Sequence, residues 1–297
     1  MALPDYERHA ACLVLDRMEI EEGGANPARL AAAIHRQLGS DEGAVPVRAI
    51  ARALDIIEIR EAPLVGIEAA LVTTPERGDG MIVVSQGAIP QRQRFSIGHE
   101  LGHFLNPRHQ GAWDGGFRCD RTDLGRREAA AGNSSLNPFE KQEREANEFA
   151  IELLAPLRRI QPYLEMEPSL EAALALAQGL DISREAAFRR YAERHDADLA
   201  IVFAKQDRFT YAVARDGFPR LALRRDDQMP MLPQVYGSSV TTKIEEADPR
   251  DWLEGSPRGE MFVQTLYQDD CRSTTLLIRN GDEADDDEDA VRRLKRD

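Results

Sequence analysis

The chain has 297 residues, enough for a substantial core in one or two domains, and its 42% hydrophobic and 30% charged residues are the balance of an ordinary globular protein. A formal net charge of −14 argues against a general nucleic-acid footprint, and part of it sits in the acidic run DEADDDED at 282–289, followed by the basic VRRLKR. Three scattered cysteines give no disulfide framework, the N-terminal residues are too charged for a signal peptide, and no apolar run nears the roughly 20 residues that span a bilayer, so a cytoplasmic protein without membrane contact is expected.

Segments 4–20 and 26–38 read as helices, the second with Asn26 as N-cap, Pro27 at the first helical position and Gly39 as its stop. VPVRAIARALDI at 45–56 reads as a third helix that leads into the strand-like IIEIR. Two short strands follow near 68–72 and 81–85, separated by the turn-rich PERGDG, and a helix opens near Gln91. The segment 106–138, rich in Gly, Asn, Arg and Asp, reads as a long loop of the kind that tends to be functional or mobile. Helices resume over 139–195, punctuated by Pro156, Pro162, Pro168 and Gly179. From Ala200 the character changes to the strands LAIVFA, RFTYAVA, MFVQTLY and STTLLIR. The expected architecture is therefore α+β: a helix-rich domain with a small sheet over 1–196, a smaller α+β domain over 197–280, and a solvated, disordered tail over 281–297.

The helix near Gln91 carries HELGH. His99 and His103 are four residues apart, about 40° around a helix and one turn along it, so both imidazoles leave one face and can grip one metal ion. Glu100 lies about 100° away, beside the open coordination position, where a carboxylate can take a proton from water. Ile97, Leu101, Phe104 and Leu105 cover the opposite side, and Gly98 and Gly102 leave a smooth third side. Such a helix is expected to be buried, and buried imidazoles and carboxylates are costly unless satisfied. A pair of hydrogen-bonded core histidines is the competing reading.

A third protein ligand is sought in FEKQEREANEFAIELLAP, 139–156. Ala146, Phe149, Ala150, Leu153 and Leu154 form one apolar stripe by their three- and four-residue spacing. Glu143 projects into that stripe and Asn147 lies one turn beyond it, while Glu145, Glu148 and Glu152 fall on the opposite face, where solvated charge is expected. Glu140, at the stripe's edge, is the runner-up ligand. Asn147 is placed to hydrogen-bond a ligating imidazole or to orient Glu143.

RQRFSIGHELGHFL, followed some forty residues later by EREANEFAIELLAP, resembles the ImmA/IrrE family of metallo-endopeptidases. The likeness covers roughly 45–156, with a looser match through the helices to about His195. It implies a zincin-like metallopeptidase domain with His99, His103 and Glu143 as metal ligands and Glu100 as general base. The donor set suits Zn2+ best, with Mn2+ compatible. The resemblance also implies a protein substrate, a helix-turn-helix repressor often encoded beside the peptidase, whose cleavage relieves repression of stress, prophage or mobile-element genes. Ala155 departs from the methionine that many members carry before the proline.

His109, in the long loop, is the best sequence candidate for an oxyanion stabiliser, ahead of Tyr191 and His195, and Cys119 in the same loop is a further possible ligand. Two other functions compete. PSLEAALALAQGLDISREAAFRRYAERH, 168–195, has the outline of a helix-turn-helix with Arg189, Arg190 and Arg194 on its second helix. Alternatively, a metal-binding module could hold a repressor without cutting it, although an intact Glu100 is superfluous to that task.

Overall fold

The computed structural model describes residues 13–111, 116–119, 137–230, 239–268 and 271–280, with the backbone alone at 116–119. The expected N-terminal helix lies partly outside them and is seen as α1 (Arg17–Glu21), which starts where Asp16 accepts a hydrogen bond from the Glu19 amide at 3.2 Å. The tail 281–297 falls wholly outside them.

The chain packs as two compact units, Met1–Arg159 with Gln178–Ser183, and Ile160–Ala177 with Arg184–Asp297. This division does not follow the change from helix to strand near residue 196. Packing separates the chain earlier, and the short segment 178–183 returns to the first unit.

In the first unit α2 (Pro27–Gln37) begins as the sequence suggests, Asn26 Oδ1 accepting from the Arg29 amide at 2.9 Å and Pro27 at the first position. Helix α3 (Val47–Ala53) is followed by Asp55, whose positive φ of 68° turns the chain into β1 (Ile56–Ala62). Strands β2 (Ala69–Thr73) and β3 (Gly80–Ser85) form an antiparallel pair, and β1 joins β3 in parallel register, Ile59 opposite Ile82. Gly80, Ile82 and Val84 alternate into the core, as a half-buried strand requires. The long loop holds one strand the sequence reading missed, β4 (Gly116–Cys119), antiparallel to β2, giving a four-stranded sheet in the order β1-β3-β2-β4. Four residues are too few to show periodicity; the open edge of β2 supplies the pairing that local sequence does not.

Helix α4 (Pro90–Leu105) packs on β2, β3, α3 and α5 (Pro138–Leu154), and from Gln93 onward nearly every residue is buried. The expected smooth side of α4 is its contact with α5. Gly98 faces Ala150 and Gly102 faces Phe149 and Ala146, so the two helices run antiparallel at close range. Helix α5 opens with a reciprocal capping box between Asn137 and Glu140. Glu140, the runner-up ligand, is therefore engaged at the helix end. At the other end His35 of α2 sets its Nε2 2.9 Å from the Leu153 carbonyl, donating to it.

Helix α6 (Leu157–Leu164) spans the division between the units. The second unit adds α7 (Leu170–Gly179) and α8 (Arg184–Arg194), which pack with a six-stranded sheet. Its strands are β5 (Leu199–Lys205), β6 (Arg208–Ala214), β7 (Val240–Thr241), β8 (Glu245–Ala247), β9 (Glu260–Tyr267) and β10 (Arg272–Asn280), in the order β6-β5-β10-β9-β7 with β8 also on β9. Helix α8 lies on β5 and β6, with Phe188 6.4 Å from Phe203 and Phe203 stacked on Tyr211 at 4.5 Å. A recognition helix would present its arginines to a groove. Here Arg190 is buried and Arg189 lies over the Tyr211 ring, leaving Arg194 alone of the three exposed. The geometry disfavours DNA reading by this hairpin.

Candidate metal centre

Three donors meet between α4 and α5. His99 Nε2 and His103 Nε2 are 3.1 Å apart, and the Glu143 carboxylate lies 3.2 Å from the first and 3.3 Å from the second. All three side chains are buried, and together they form a group that could hold a metal ion. Their placement follows from the helices: the four-residue spacing brings the imidazoles to one face of α4, and the glycine contact lets α5 deliver Glu143 to that face. Tetrahedral ligands about 2.0–2.1 Å from zinc stand about 3.3 Å apart, so the observed separations fit such an ion.

Protonation fits as well. His99 Nδ1 is 3.0 Å from Asn147 Oδ1, an oxygen that can only accept, so the imidazole proton sits on Nδ1 and the Nε2 lone pair faces the group. Burial pushes the His103 imidazole down to about 3 against the pull of Glu143, leaving it neutral. Burial alone would raise the Glu143 carboxyl, yet the facing imidazoles of His103 and His99 outweigh it and hold it well below the usual carboxylate range. A divalent cation requires neutral imidazoles and an ionised carboxylate, and the shifts of His103 and Glu143 run in those directions.

Glu100, next to His99 on α4, is fully buried in the same unit. Asn147 takes the position behind His99 foreseen for it.

His109 does not take the place foreseen. Its Nδ1 lies 2.9 Å from His103 Nδ1 and its Nε2 lies 3.0 Å from Glu145 Oε2, so both ring nitrogens are engaged behind His103, on the side away from Nε2. An oxyanion stabiliser must face the reacting carbonyl, and the His109 ring nitrogens face His103 and Glu145 instead. Glu145 is corrected with it. The helical projection puts it toward solvent, but the loop after α4 folds over that face and leaves the side chain 18% exposed. Burial lowers the His109 imidazole below its ordinary value, against the pull of Glu145. The side chain of Cys119 lies outside the described residues, and Tyr191 and His195 fall in the second unit with rings 4.8 Å apart.

Sequence reasoning also missed Arg77. It stands at a positive φ of 52° in the turn between β2 and β3 and reaches the C-terminal end of α4. Its guanidinium donates to the carbonyls of His103 at 2.9 Å, Asn106 and His109. The first of these is a carbonyl that a helix end leaves without an amide partner. The turn residues PERGDG carry no signal of that reach.

A buried two-helix group of paired histidines and a carboxylate, set against a small mixed sheet, is an arrangement that could serve a metal-dependent hydrolase. Residues 56–191 match the family model of the IrrE N-terminal-like domain, peptidase family M78. The resemblance read from HELGH and EREANEFAIELLAP is thus borne out, over a segment running from β1 into α8. No curated protein matches the chain.

Proposed function

We propose that the protein is a zinc-dependent endopeptidase that cleaves a helix-turn-helix repressor in the cytoplasm and so relieves repression. The convergence of His99, His103 and Glu143 carries the reading, since three mutually facing donors are costly to bury for any other purpose. Among the described residues no helix is long and apolar enough to cross a membrane.

In this reading His99, His103 and Glu143 hold the metal, with zinc preferred and manganese compatible with the same donors. Bound zinc supplies a Lewis acid that acidifies water and polarises a peptide carbonyl. Glu100 accepts the proton from the attacking water and delivers it to the departing amine. Asn147 keeps the His99 ring turned with Nε2 toward the site. Sequestration without cleavage would give the buried Glu100 nothing to do.

The repressor substrate rests on the likeness to the ImmA/IrrE family, and a mixing experiment tests it. Purified protein with zinc and the repressor encoded beside it should yield discrete fragments. Neither a chelator-treated sample nor the E100Q variant should do so, although E100Q should retain its metal. Fragments from metal-loaded E100Q at the wild-type rate would remove Glu100 from the mechanism, and an uncut repressor would remove the substrate.

A further inference from the structure

Behind His103 lies a chain of contacts that the proposed mechanism does not use. His103 Nδ1, His109 Nδ1, His109 Nε2 and Glu145 Oε2 follow one another at 2.9 Å and 3.0 Å across the His109 ring. The His103 and His109 rings pack edge-on with centroids 4.9 Å apart, and both are buried. Nothing in the spacing of α4 demands this; the loop after the helix brings it about. The His109 amide donates to the Asn106 carbonyl at 3.2 Å, and Arg77 gathers the carbonyls of His103, Asn106 and His109 onto one guanidinium.

Proton placement along the chain is determined by its end. A carboxylate oxygen accepts, so the 3.0 Å Glu145 contact places the His109 proton on Nε2. Asn106 Nδ2 also lies 2.9 Å from His109 Nε2, but its two protons have acceptors in the Ala25 carbonyl and Glu145 Oε2, each at 3.3 Å. The amide orientation is set by Asn106 Oδ1, which accepts from the Arg108 amide at 3.1 Å. With its proton on Nε2, His109 offers a lone pair at Nδ1. His103 must then donate from its own Nδ1, which leaves the His103 Nε2 lone pair free to face His99 and Glu143.

We propose that Glu145 and His109 form a relay that fixes the tautomer and orientation of His103 for metal binding. His109 is thus a positioning residue acting through His103, and Glu145 sets its direction. The His99 imidazole is held by an amide and the His103 imidazole by a carboxylate acting through a second imidazole, so the two ligands have unequal support. This inference rests on the metal reading of the site.

Zinc affinity, measured by competition with a chromophoric chelator, is the primary test, with the visible spectrum of the cobalt-substituted protein as a second readout. H109A should bind zinc about 10- to 100-fold more weakly than wild type. E145A should weaken binding in the same direction, and E145Q, which retains an acceptor oxygen without the charge, should recover most of the loss. Glu145 is part-exposed, so its variants report on the relay even if H109A fails to fold. Nitrogen-15 spectra of the metal-free wild-type protein give an independent reading, with protons expected on His109 Nε2 and His103 Nδ1. A proton found instead on His109 Nδ1 overturns the relay. So does wild-type zinc affinity in both H109A and E145A, in which case the metal reading survives alone. A wild-type protein that binds no zinc overturns both.

Discussion

Gly102 is a point of close approach between α4 and α5, and Gly102→Ala tests whether that approach holds the candidate metal centre together. A Cβ at Gly102 would meet Phe149 Cδ1 at 3.0 Å, Phe149 Cβ at 3.2 Å and Ala146 Cα at 3.3 Å, and the last of these is backbone that cannot swing aside. At Gly98, one turn earlier, the nearest atom is Ala150 Cβ at 3.4 Å, which is ordinary contact. Overpacking of this kind costs about 1–3 kcal/mol, and the helix propensity of alanine returns up to about 1 kcal/mol. Gly102→Ala should therefore lose up to about 2 kcal/mol, while Gly98→Ala should be neutral or gain up to about 1 kcal/mol. For a unit of this size the loss corresponds to a drop of up to about 8 °C in Tm. Because Ala146 and Phe149 follow Glu143 by one to two turns of α5, relief of the clash also draws the carboxylate from the histidines. Thermal unfolding of the metal-free variants and their zinc affinity measure the two effects. If Gly102→Ala is as stable as wild type and binds zinc equally well, the glycine contact does not set the helix spacing and the reasoning is wrong.

Other expectations concern the metal and pH. At a free zinc concentration 100 times Kd, binding should stabilise the fold by about 2.7 kcal/mol, seen as a rise in Tm that chelator reverses and Glu143→Ala abolishes. His35 is buried against the Leu153 carbonyl, and burial lowers its imidazole to about 4. The unfolded chain takes up that proton near pH 6.5 and the folded chain only near 4, so stability is intact above 6.5 and falls as pH drops through this window. The loss is on the order of 3 kcal/mol at most, and denaturant titrations should show a flatter pH profile for His35→Gln. A variant profile that parallels wild type would remove His35 as the source.

Helical projection placed Glu143 against the histidines and Asn147 one turn on because both effects depend on α5 alone. It misjudged Glu145 for the same reason. A 100° wheel knows which way a side chain leaves its helix, but not that the residues after α4 fold back to cover that face. His109 was singled out as a nearby histidine, yet its orientation depends on Arg77, a turn residue some thirty positions earlier whose left-handed backbone directs it across a helix end. The short strands β7 and β8 escaped notice for want of enough residues to alternate. Secondary structure changes character near residue 196, while packing divides elsewhere, because a helix can belong to the sheet that follows it in the chain.

The return of Gln178–Ser183 to the first unit has a bearing on how this chain can be cut or recombined. Arg94 of α4 is buried, donates to the Asp181 carbonyl at 3.0 Å and to the Val45 carbonyl at 2.9 Å, and has the Asp181 carboxylate 3.5 Å away. Gln91 reaches the same carboxylate at 2.7 Å. A fragment ended at Arg159 would strip that partner from a buried cation, a loss of about 3–5 kcal/mol and a large share of a typical domain's stability. The metal-centre unit is thus a poor cassette: its last stitch is made after the chain has already entered its neighbour, and genetic exchange that respects the fold must carry both units together.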